Sequence, residues 1–157
     1  MTIEDAATVM LLAEADEGVE VFMLERHLDS DFVGGAYVFP GGKVDEGDLG
    51  LPQSLTAGSV CPALIEAVGS KLARGLAVAA IRETFEECGV LLGMVEGAPV
   101  ASERLTEPSF VQARRRLATR NRPWDWTPWL EATGVTLDLD ALAWWSWWVT
   151  PEGVHRR

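Results

Sequence analysis

The run Arg82-Glu83-Thr84-Phe85-Glu86-Glu87-Cys88-Gly89-Val90 constrains this chain more than any other stretch. Residues 76–88 are Ala-rich and free of Pro, and Gly89 stands where a helix can stop in a left-handed conformation, so a helix is predicted over 76–88. At about 100° per residue, Val78, Ile81, Phe85 and Cys88 form one apolar stripe. Glu83, Glu86 and Glu87 cluster on the opposite side, at i, i+3 and i+4. A solvated helix face is the plain reading of such a cluster. Against it, Glu83 and Glu87 repel each other at i, i+4 by a few tenths of a kcal/mol. No Lys is interleaved, and Arg82 is the only nearby cation. Three converging carboxylates with one Arg make better sense if a divalent cation supplies the missing charge.

Upstream stands Phe39-Pro40-Gly41-Gly42, followed by Lys43-Val44-Asp45-Glu46-Gly47-Asp48. Two glycines after a Pro let the backbone approach another group closely and expose carbonyls; an ordinary turn is the plainer alternative. Together the two stretches resemble the two halves of the Nudix box, G-x5-E-x7-R-E-U-x-E-E-x-G-U, where U is a bulky apolar residue. Thr84 departs from the pattern at the first U. Asp48 replaces the usual Glu, and 33 residues rather than seven separate it from Arg82. A lone R-E-x-x-E-E would be weak; joined to F-P-G-G and Gly89 it is specific. The split box resembles the Nudix branch that includes the peroxisomal coenzyme A diphosphatases, as does Trp147-Trp148-Val149-Thr150-Pro151.

That resemblance implies an α/β fold, a Nudix-type α/β/α sandwich on a mixed β-sheet, with a helical insertion inside the box. A length of 157 residues suits one domain, 1–157, with residues 49–75 as the insertion, a flap beside the site. In that branch the chain runs on beyond the Trp stretch into another strand and a terminal helix, so a C-terminal portion is expected to be missing after Arg157.

Along the chain, Ala6–Ala13 reads as a buried strand, turned by Asp16-Glu17-Gly18 into a hairpin with Val19–Glu25. A short strand over Ala36–Phe39 enters the Pro-Gly-Gly turn. Leu49–Val60 reads as loop, and Cys61–Leu72 has helical spacing with Pro62 in its first turn. Leu91–Val100 turns away from the acidic helix as a strand; Pro108–Arg120 and Trp126–Ala132 are helix candidates. Arg114, Arg115, Arg116, Arg120 and Arg122 are the one concentrated positive patch. They either hold substrate phosphates or pair with the acidic remainder of the chain, surface pairing being favoured. Trp144, Trp145, Trp147 and Trp148 fall on both faces of a predicted strand over Ala143–Thr150. Core packing is the expected role for most of them, with stacking on a nucleobase as the alternative.

The net charge of −11 argues against a basic surface for nucleic acid and suits a protein that meets an anionic substrate through a metal, or one that is simply soluble. Cys61 and Cys88 lack CxxC or CxxH spacing, so neither zinc nor a disulfide scaffold is indicated, and Cys88 is expected to be a buried small hydrophobe. No secretory signal or long apolar run is evident, so a cytoplasmic protein with no membrane partner is expected. His27 and His155 carry no ligating spacing.

The resemblance implies Mg²⁺ or Mn²⁺ as cofactor. Glu86 and Glu87 are then the main ligands with the Gly42 carbonyl alongside, and Glu83 is either a ligand or the base that takes a proton from water. Arg82 orients the cluster by reaching Glu86 one turn on. Asp48, shorter than the expected Glu, is an outer ligand or a supporting acceptor. The reaction implied is hydrolysis of a pyrophosphate bond in a nucleoside diphosphate linked to another moiety. Coenzyme A or acyl-coenzyme A is the first expectation for the substrate; ADP-ribose, NADH or a nucleotide sugar would use the same parts. A Nudix module that binds such a ligand without hydrolysing it is the competing class, although it usually lacks the glutamates retained here. A homodimer is one assembly that the resemblance allows.

Overall fold

A computed structural model describes residues 4–26, 35–119 and 124–149. Its N-terminal third is built of short strands: β1 (Ala6–Thr8), β2 (Leu11–Ala15), β3 (Gly18–Phe22), β4 (Leu24–Glu25), β5 (Tyr37–Val38) and β6 (Gly41–Lys43). The hairpin around Asp16-Glu17 forms as expected, with β2 and β3 antiparallel from Leu11↔Phe22 to Ala15↔Gly18. The expected single buried strand over 6–13 is instead two. The chain changes partners at Val9, whose N–H donates to the Pro40 carbonyl at 2.9 Å, and β1 pairs with β6. Within that run only Val9 is buried, while Met10 and Leu12 are exposed. Gly41 and Gly42 are likewise not a turn but the start of β6. A Cβ on Gly41 would strike the Ala7 carbonyl and come within 2.8 Å of Thr8 Cα, so glycine is what permits this strand contact.

The next segment is α1 (Glu46–Gly50), a 3₁₀ turn at Gln53–Leu55, β7 (Thr56–Ala57), α2 (Pro62–Val68) and α3 (Ser70–Cys88). Two expectations are corrected here. The helical spacing over 61–72 spans two helices, not one, because Gly69 takes φ +83° and breaks the chain between them; α3 therefore begins at Ser70 rather than at 76. Residues 49–75 are also not a flap. Leu51 and Leu55 are core residues, β7 pairs in parallel with a later strand, and Ser70 to Gly75 are the first turns of α3.

Beyond α3 come β8 (Gly93–Val95) and β9 (Ala98–Pro99), then α4 (Pro108–Leu117), α5 (Thr127–Thr133) and β10 (Thr136–Asp138). The strand expected over 91–100 is this β8–β9 hairpin, turned at Glu96 and Gly97 with φ 52° and 81°. The sheet order is β7-β10-β8-β9, with β7 parallel and the rest antiparallel, which makes the expected mixed sheet.

Helix α3 organises the core. Its Val78, Ile81 and Phe85 are fully enclosed with Phe110, Leu130, Val135 and Leu137; each such side chain contributes roughly 1.5–3 kcal/mol on burial. Trp129 stacks on Phe85 at 5.9 Å and meets Phe110 edge-on at 5.0 Å. The helix also contacts β1, β6, α1, α2 and α4, so it is buried on nearly every side. Gly75 allows the α1 approach, since a Cβ there would lie 2.5 Å from Leu49 Cδ2.

The Trp run is the largest departure. Residues 142–149 form no strand, no described strand lies beside them, and Trp145, Trp147 and Trp148 are 82%, 68% and 73% exposed. Core packing is therefore not their role among the described residues. Cys88 is half-buried rather than buried. His27, His155, Arg120 and Arg122 lie outside the described residues.

Candidate functional site

The acidic turn of α3 ends in Gly89, which takes φ +75° and donates its N–H to the Phe85 carbonyl at 3.0 Å. Glu83 and Glu86 are not on a solvated face: their side chains are 12% and 21% exposed. Only Glu87 reaches the surface, and its Oε2 accepts from the Gly41 N–H at 2.9 Å. The structure thus brings the acidic helix and the Pro40-Gly41-Gly42 segment together. Gly42 lies directly against Glu83, and a Cβ on it would collide with that carboxylate.

Arg82 is the hub, and its main partner differs from the expected one. Its Nε and one terminal nitrogen donate to the two oxygens of Asp48, each at 2.8 Å. The same terminal nitrogen donates to the Lys43 carbonyl at 2.9 Å and lies 3.6 Å from Asp45. The other one donates to Glu83 at 2.8 Å and stands 3.5 Å from Glu86. The Glu86 contact that the one-turn spacing suggested is thus the longer one, because the flat fork of Arg is better matched by a carboxylate facing it from α1. Asp48 is 1% exposed and also accepts from the Asp45 N–H at 2.8 Å. Asp48 thus accepts from both the Arg82 guanidinium and the backbone at the start of α1.

Burial is the largest influence on Arg82 and by itself lowers its affinity for a proton; hydrogen bonding and attraction from Asp48 and Glu83 outweigh it and hold the guanidinium charged. Burial pushes Glu83 and Glu86 above the ordinary carboxylate range. Neighbouring carboxylates add to the rise and Arg82 opposes it. Thr84, in the position of an apolar residue, is fully buried and donates its hydroxyl to the Ala80 carbonyl at 2.7 Å, so the substitution leaves no polar group unsatisfied.

Sequence reasoning missed two participants. Asp45 flanks Arg82, and its place three residues before Asp48 at a helix start was a usable signal. Arg114 of α4 donates to the carbonyls of Glu86 and Glu87 at 2.9 and 2.7 Å, a contact with backbone that leaves no mark in sequence. Arg116 lies over the Trp124 ring at 5.4 Å.

The cluster fits a hard divalent cation in its chemistry: every side-chain donor is a carboxylate oxygen, with Asp45, Asp48, Glu83 and Glu86 around the guanidinium of Arg82 and Glu87 beside Gly41. Among the described residues no three His, Cys, Asp or Glu side chains form a ready-made cage, since Glu83 turns to Arg82 and Glu87 to Gly41.

A crystal structure of a Nudix hydrolase from Alicyclobacillus acidocaldarius superposes with a TM-score of 0.66 and 28% identity, over 88% of this chain and 58% of that one. The chain is also 31% identical over 166 residues to the acyl-coenzyme A diphosphatase NUDT19 of Gallus gallus. The chain is similar to Nudix hydrolases in sequence and in fold. Its α/β architecture is the Nudix fold. No protein-family model matches the sequence. The Nudix match to NUDT19 takes in 85% of this chain but only 43% of the relative's length. No helix among the described residues is long and apolar enough to cross a membrane.

Proposed function

We propose that this chain is a Nudix pyrophosphohydrolase that uses Mg²⁺ or Mn²⁺ to split a nucleoside diphosphate linked to another moiety, with coenzyme A or an acyl derivative as the leading substrate. The observation that carries the reading is the enclosed Arg82 hub, which fixes Glu83 beside Gly42 and holds Glu86 one turn further on. The substrate class is supported by the split box and by the relative named an acyl-coenzyme A diphosphatase.

A divalent cation held here would neutralise phosphate charge and acidify a bound water. Glu86 and Glu87 are the residues that would hold it, with the Gly42 carbonyl alongside. Glu83, raised in proton affinity by burial, is suited either to ligation or to accepting the proton of the attacking water. Arg82 keeps Glu83 pointed at the Gly42 backbone, and Asp48 keeps Arg82 in place.

The test is a panel of coenzyme A, acetyl-coenzyme A, ADP-ribose, NADH and a nucleotide sugar with Mg²⁺ or Mn²⁺, run beside Glu87→Gln. Release of 3′,5′-ADP and phosphopantetheine from coenzyme A, reduced by roughly two orders of magnitude or more in the variant with its fold retained, is the expected result. Equal turnover by wild type and Glu87→Gln would remove the carboxylate from the reaction. Silence across the panel with ligand binding intact would favour a non-catalytic module.

A further inference from the structure

We infer that Arg114 is a positioning residue for the metal-holding turn of α3. The inference rests on the proposed reading that Glu86 and Glu87 hold a divalent cation. The last carbonyls of a helix lack partners within the helix and carry the negative end of its dipole. In α3 that negative end coincides with two carboxylate side chains, and its last turn contains no basic residue. Arg114 reaches in from α4 and fills both needs. Its Nε donates to the Glu86 carbonyl at 2.9 Å and a terminal nitrogen donates to the Glu87 carbonyl at 2.7 Å. The guanidinium also covers Gly89, where a Cβ would stand 3.1 Å from it. The backbones of the two candidate ligand residues are therefore clamped by one rigid fork, which fixes the directions in which their side chains leave the helix.

The inference makes a prediction of unusual sign. Removing a cation next to a metal site should tighten metal binding if charge alone matters. Removing a clamp should weaken it. Mn²⁺ binding by Arg114→Gln, followed through the free-ion electron paramagnetic resonance signal, is expected to weaken roughly tenfold, the lower end of what outer-shell partners of metal ligands contribute. The Mn²⁺ concentration for half-maximal hydrolysis should rise by the same factor, while turnover at saturating Mn²⁺ changes less. Arg114→Lys, which keeps the charge but offers no planar fork, should recover part of the loss and guards against a Gln variant that fails to fold. Arg115→Gln, next along α4, serves as the charge control and should bind Mn²⁺ like wild type. Unchanged or tighter binding in Arg114→Gln, or an equal loss in Arg115→Gln, would overturn the positioning role while leaving the metal reading intact. No loss of Mn²⁺ binding in Glu87→Gln would instead remove the metal reading and this inference with it.

Discussion

Asp48 and Arg82 lie 34 positions apart in the chain, yet they share two hydrogen bonds of 2.8 Å inside the protein, with Asp48 only 1% exposed. The pair joins α1 to α3 and so ties together the two separated stretches that resemble the halves of the Nudix box. Breaking a buried pair from one side strands the other charge, at a cost of about 3–5 kcal/mol. Asp48→Ala is expected to lose about that much stability in urea unfolding. Asp48→Asn, which keeps one acceptor, should lose less. A double-mutant cycle with Arg82→Met should return a coupling well above that of a surface pair.

Gly42 sets a second expectation. Any side chain at this position must displace the Glu83 carboxylate. Gly42→Ala should cost about 1–3 kcal/mol, as overpacking commonly does, and should also reduce hydrolysis by driving Glu83 from Arg82. A crystal structure of the variant with Glu83 still 2.8 Å from Arg82 would contradict this account.

The pH dependence follows from Glu86, whose proton affinity is raised first by burial and then by Glu83, Glu87 and Asp45. A carboxyl with a folded-state pKa above its unfolded value contributes stability below the unfolded value, near 4.5, and loses it as pH rises through the folded value. At neutral pH the ionised group therefore weighs against folding. Without metal, Glu86→Gln should melt at a higher temperature than wild type at pH 7.5, and the gap should close toward pH 4.5. A gap that stays constant with pH would show that Glu86 titrates normally.

On the proposed reading protons and metal would compete for the same oxygens, so Mn²⁺ binding should weaken as pH falls through the raised values of Glu83 and Glu86. Titrations with Mn²⁺ between pH 8 and pH 5 at constant ionic strength would measure this. Affinity that does not change over that interval would sink the expectation.

What the sequence disclosed was local and periodic. The Val78, Ile81 and Phe85 stripe and the stop at Gly89 could be found because a helix repeats every 3.6 residues and because glycine tolerates a left-handed stop. The partners of those residues were harder to find. The motif put Asp48 and Arg82 in one site but did not show that the two would pair directly, and the grip of Arg114 on two backbone carbonyls is invisible to any reading of side chains. Gly69 misled in the other direction: Leu64, Ile65, Val68 and Leu72 keep helical spacing on both sides of a break that one positive φ decides. The Trp run shows the remaining limit, since alternation predicts a strand only where another strand offers hydrogen bonds.

The weaving of residues 49–75 into the fold bears on how such a gene can change. A surface loop can be trimmed or exchanged without touching what lies beneath, because its ends meet and its middle rests on nothing. This segment cannot be cut out as a cassette. Its removal would take Leu51 and Leu55 from the core, a parallel strand from beside β10, and the opening turns of the helix that carries the glutamates. A chain with an uninterrupted box would need a different sheet edge and a different helix start, so in this fold the long spacing is a structural requirement.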